Sequence, residues 1–164
     1  MKIVYLKSME AHPAPIDPEM VNEGFTVAQI KELEDALNNG NSFPTVLREY
    51  LFLGGEFSHI GVVDTQRMLD GTEQYLVMNE SYQNRLKEAG LTLDRPIFIF
   101  YSYDGDGFSF VYLDEGDDPQ PHHFGIDPSM RGENGELIYD FPQKTFSELV
   151  DKCVERALNG LPPR

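Results

Sequence analysis

The chain has 164 residues, 40% of them hydrophobic and 12% aromatic, which is one domain's worth of globular chain and enough to bury a core without staples. With 28 acidic residues against 13 basic ones the net charge is −15, which argues against binding nucleic acid or an anionic membrane and suits a basic partner. The lone cysteine, Cys153, excludes an internal disulfide and a multi-cysteine metal site.

The N-terminal residues 3–6 read as a short strand. Residues 9–24 follow as an arm in which Pro13, Pro15 and Pro18 oppose regular structure. The apolar run at the N-terminus is too short for a signal-peptide core, and no stretch approaches the ~18 apolar residues of a membrane span. A cytoplasmic location is the expectation.

Thr26 and Gln29 have capping-box spacing, and Val27, Ile30, Leu33 and Leu37 form a stripe, so a helix is predicted there. Asn38-Asn39-Gly40 stops it. A second helix follows Phe43, with Pro44 in its tolerated first-turn place. Val46, Leu47, Tyr50 and Leu51 share one face. Gly54-Gly55 ends this helix, with at least one glycine expected at positive φ. A third helix is predicted over about 72–89, closed by Gly90, and residues 60–63 read as a short strand.

The pattern then changes period. Residues 96–101 are a dense apolar run, the mark of a strand buried on both faces. Asp104-Gly-Asp-Gly is a hairpin turn, and 108–113 is the return strand, with Phe108, Phe110 and Tyr112 on one face. Two short strands follow at 122–125 and 137–141. The last helix opens with a capping box at Thr145 and Glu148. Phe146, Leu149, Val150, Cys153, Val154 and Ala157 then recur at helical spacing. This helix is expected to pack on the central hairpin with Cys153 buried and inert. The whole reads as a single α+β domain over 1–164, with residues 1–25 as strand and arm and 26–158 as the core.

Sites are harder to read. Asp104, Asp106 and Glu115 imitate positions 1, 3 and 12 of a calcium loop, but Ser109 stands where that loop needs glycine. His122 and His123 are adjacent on a strand, so they face opposite ways and do not share one metal. No nucleophile elbow, phosphate loop or dinucleotide fingerprint is present. Neither metal nor cofactor is expected. One feature stands out: no Lys or Arg occurs between Arg95 and Arg131, while Asp104, Asp106, Asp114, Glu115, Asp117 and Asp118 all fall there. Such uncompensated charge attracts a cationic surface, with apolar neighbours such as Phe124 slowing dissociation.

Three segments resemble the SUKH superfamily, the Smi/Knr-type proteins often labelled glucan-synthesis regulators. The first is the Phe43-Pro44-to-Leu51 helix running into Gly54-Gly55-Glu56, with Leu53 where the family usually has Asn. The second is the central hairpin at Asp104–Phe110, and the third is Thr145-Phe146-Ser147-Glu148-Leu149-Val150. The resemblance spans about 26–158. It implies a mixed or antiparallel sheet with a central hairpin and about four flanking helices. It further implies a non-catalytic domain of the bacterial immunity-protein branch, which binds and neutralises a toxin, often a nuclease. A regulatory or scaffold protein without a toxin is the alternative, and a small hydrolase or metal-dependent enzyme using His122 or His123 is a third reading. The family supplies no catalytic residues. Pro44, Gly54, Gly55, Phe146 and Cys153 are expected to be structural.

Overall fold

The computed structural model describes residues 1–60, 71–103 and 107–162. Asp104–Asp106 and, apart from Ile60, the strand expected at 60–63 lie outside them.

The amino end differs from expectation. Residues 3–6 form no strand, because their amides serve another acceptor. Val4, Tyr5 and Leu6 donate their N–H groups to the carboxylate of Glu49, at 2.5, 2.9 and 3.0 Å. Glu49 is fully buried, so its charge is met by three aligned backbone dipoles. Helix α1, Lys7–Ala11, follows and buries Met9. It lies upstream of Pro13, so the prolines do not oppose it. The arm proper is closed by the Asn22 N–H, which donates to the Pro13 carbonyl at 2.7 Å.

Helix α2, Val27–Leu37, carries the full capping box: the Thr26 side chain accepts from the Gln29 amide, and Gln29 accepts from Thr26. Val27 departs from the expected stripe and is 52% exposed. Buried Glu34 takes a place on that face instead. It accepts from the Phe43 amide at 2.9 Å and pairs with Arg48 at 3.1 Å. Asn39 and Gly40 have positive φ and stop the helix as expected.

Helix α3, Thr45–Gly54, begins after Pro44, which is its N-cap rather than a first-turn residue. The expectation for Gly54 and Gly55 fails. Neither has positive φ, and Gly55 is right-handed helical at φ −69°. Their lack of a side chain matters for space. A Cβ on Gly54 would lie 2.6 Å from Met9 Cε, and one on Gly55 would lie 2.7 Å from the buried Phe25 ring.

Helix α4, Gly71–Glu88, leads into a four-stranded antiparallel meander in the order β1-β2-β3-β4. The strands are β1, Ile97–Tyr103; β2, Gly107–Tyr112; β3, Pro121–Gly125; and β4, Ile138–Asp140. A bulge between Ile99 and Tyr101 interrupts the β1–β2 ladder. Helix α5, Phe146–Leu158, closes the chain. The fold is a single α+β domain.

Both sheet faces are covered, as the apolar run in β1 requires. Phe98, Phe100, Val111 and Leu113 join α1, α2, α3 and α5 in the larger core. Ile97, Ile99, Phe108, Phe110 and Phe124 pack with Tyr82 and Leu86 of α4 in the other. Phe146 is fully buried, and its ring meets Phe100 at 5.2 Å and Tyr50 at 5.7 Å. Cys153 is 1% exposed among these residues. Its burial matches the sequence reading, and α5 packs against α1 and α3 as well as the sheet.

Candidate protein-binding surface

The loop between β2 and β3 holds four of the six acidic candidates, and each one has local work. Arg95, just before β1, reaches Asp114 through Nε at 3.0 Å and Nη2 at 2.6 Å, and Glu115 through Nη2 at 3.0 Å. Its guanidinium also lies 3.9 Å above the Tyr112 ring. The hydrogen bonds from Arg95 hold the Asp114 carboxyl below the usual range. One guanidinium therefore offsets part of the charge at 114 and 115, which the sequence expectation had left uncompensated. The missing signal was spatial, since Arg95 lies 19 residues before Asp114 and meets it across the β1–β2 pairing.

Asp117 and Asp118 stitch this loop to two helix N-termini. The Thr45 hydroxyl donates to Asp117 Oδ1 at 2.6 Å, and the Val46 amide donates to the Asp117 carbonyl at 3.0 Å. Asp118 accepts from the amide and hydroxyl of Ser147, at 2.9 and 2.5 Å, in the first turn of α5. A carboxylate is favourable there because the first helical amides lack intrahelical acceptors and the dipole is positive. These two residues position the loop and do not form an unencumbered acidic face. Asp104 and Asp106 lie outside the described residues. Phe124 is fully buried and so offers no contact to a partner.

The two histidines separate as their spacing predicts. His123 is 4% exposed, with Nδ1 3.2 Å from Ser109 Oγ and its ring beside Tyr139. His122 stacks on Phe110, with Nδ1 2.9 Å from Asp140 Oδ1 and Nε2 3.8 Å from Glu115 Oε2. Among the described residues no group of three or more His, Cys, Asp or Glu side chains is arranged to hold a metal. No helix of the described residues is long and apolar enough to cross a membrane.

A feature the sequence reading missed lies beyond β4. An open groove of about 630 Å³ is bordered by Arg131, Glu133, Asn134, Glu136, Ile138, Tyr139, Asp140 and Pro142. The Arg131 guanidinium is turned back, donating to the Ile126 carbonyl at 3.0 and 3.3 Å. Hydrogen bonds from Asn134 hold the exposed Glu136 carboxyl below its usual range, and Ser129 does the same for Asp127. The turn-rich composition of 125–135 marked this segment as a loop but gave no sign that its carboxylates border the sheet edge.

No family model matches the chain, and neither a curated protein nor a solved structure matches it significantly.

Proposed function

We propose that this chain is a non-catalytic protein-binding domain, an immunity protein that neutralises a cognate toxin by covering its basic surface. The resemblance of the three sequence segments points that way. The observation that carries the reading is the permanence of the negative surface. The net charge is −15, and exposed Asp127 and Glu136 are held ionised by hydrogen bonds from Ser129 and Asn134. A nuclease presents cations to phosphates, so a fixed anionic surface complements it and raises the association rate.

The test is co-expression with the toxin domain encoded beside this chain's gene. Rescue of growth is expected, with association that slows steeply as salt rises. Failure to rescue from every neighbouring toxin domain would overturn the reading.

A second reading, a regulator or scaffold without a toxin, draws on the arm. Ile16, Met20 and Val21 are 54%, 48% and 49% exposed within the loop closed between Pro13 and Asn22. Pull-down with wild type and with an Ile16→Ser/Met20→Ser variant separates the two. A housekeeping partner lost only in the variant supports the second reading.

A further inference from the structure

We propose that the outer edge of β4, with the groove beside it, receives an extended basic segment of a protein partner that adds to the sheet as a further strand. The proposal rests on the reading of the chain as a protein-binding domain. Among the described residues, strand β4 has a neighbour on one side only. The Gly125 amide donates to the Leu137 carbonyl at 2.9 Å, and the Phe141 amide to the Pro121 carbonyl at 3.1 Å. Between these bonds the register places Phe124 opposite Ile138 and His122 opposite Asp140. Hydrogen-bonded and non-bonded pairs alternate along an antiparallel ladder. Ile138 and Asp140 therefore turn their N–H and C=O groups away from β3, toward the outer edge.

The chemistry of the groove selects the incoming segment. The groove is bordered by the carboxylates of Glu133, Glu136 and Asp140, the last beside His122, and by one guanidinium, that of Arg131, which is turned back onto Ile126, so its lining is net negative. Ile138 and Tyr139 supply apolar surface on which the stems of Lys and Arg lie while their heads meet carboxylates. Backbone pairing provides affinity and the alternate side chains provide selectivity, as in strand addition generally. Short, charged edge strands also serve as guards against self-association, and that is the competing account.

The experiment uses the intact chain, isotopically labelled, titrated with a peptide of about ten alternating lysines and valines, long enough to pair with a strand of ordinary length. The expected result is amide shifts confined to residues 131–142, and none with the glutamate–valine counterpart. The Glu133→Lys/Glu136→Lys variant should weaken binding about tenfold or more. The Glu73→Lys/Glu88→Lys variant, with the same charge change on α4, should weaken it less than about twofold. Equal weakening by both variants, or shifts spread over the surface, would mean non-specific attraction and overturn the proposal. Absence of binding would leave the edge as a guard. The shift map needs no variant, so a misfolded mutant does not spoil the test. Rescue from a toxin without peptide binding would sink this edge and leave the immunity reading standing. Peptide binding without any rescue would do the reverse.

Discussion

The two edges of the sheet are treated in opposite ways. At β1 the Ile99 carbonyl accepts a 2.6 Å hydrogen bond from the buried Tyr75 hydroxyl of α4, whose ring stacks on Phe98 at 4.9 Å. Ile97 and Ile99 are buried beneath that helix. At β4 the edge is half-buried or exposed and borders a charged groove. A sheet edge invites pairing unless it is covered. One edge here is sealed by an aromatic side chain and a helix, and the other is left to charge.

The largest expected difference follows from removing each device. Tyr75→Ala should cost about 3–5 kcal/mol, the usual scale for a buried aromatic, whereas Asp140→Asn on the open edge should cost under about 1 kcal/mol. Urea denaturation of both variants checks this, and equal losses would erase the contrast. A smaller effect concerns pH. Burial pushes the Tyr75 phenol well above its ordinary value of 10.0. A raised folded value means the contribution is fully present below pH 10 and is lost as pH rises beyond it. Tyr75→Phe, expected to cost about 1–2 kcal/mol at neutral pH, should therefore lose its disadvantage in alkali. A gap that stays constant to high pH would refute the sealed edge. The smallest effect is in the β2–β3 loop, where protonating exposed Asp114 as the pH falls below the usual carboxylate range should remove only a slight stabilisation, because solvent screens its pairing with Arg95.

Much of the fold was legible because its signals are local. Both capping threonines, Thr26 and Thr145, accept from the residues their spacing names. At the second cap the match is half, since Glu148 reaches back to the Lys144 amide and not to Thr145. Alternation along 108–113 sorted the two sheet faces, and α5 follows its apolar stripe. Glu34 and Glu49 were missed, although each falls on a buried helical face at i, i+3 or i+4 from its apolar neighbours. Their partners were not readable, because the acceptor of the amides at 4–6 lies 43 or more residues away.

The candidate site was least legible. Counting charge along 96–130 treats each carboxylate as exposed and unopposed, whereas Arg95, Thr45 and Ser147 reach four of them through the fold. The groove depends on a strand pairing and a turn-rich connection meeting at one edge, which no local pattern encodes. Gly54 and Gly55 misled for a similar reason. Helix-ending glycines usually supply positive φ, but these two make room for Met9 and Phe25, contacts set by tertiary packing.

The most direct test is native-state amide exchange, because it reads the two edges in one protein. Ile97 and Ile99 should exchange only through opening close to global unfolding, and Ile138 and Asp140 orders of magnitude faster through local opening. The basic peptide should then slow exchange at Ile138 and Asp140 and leave β1 unchanged. Equal protection at both edges before the peptide is added, or none gained at β4 afterwards, would contradict the claim that this sheet keeps one edge open for a partner.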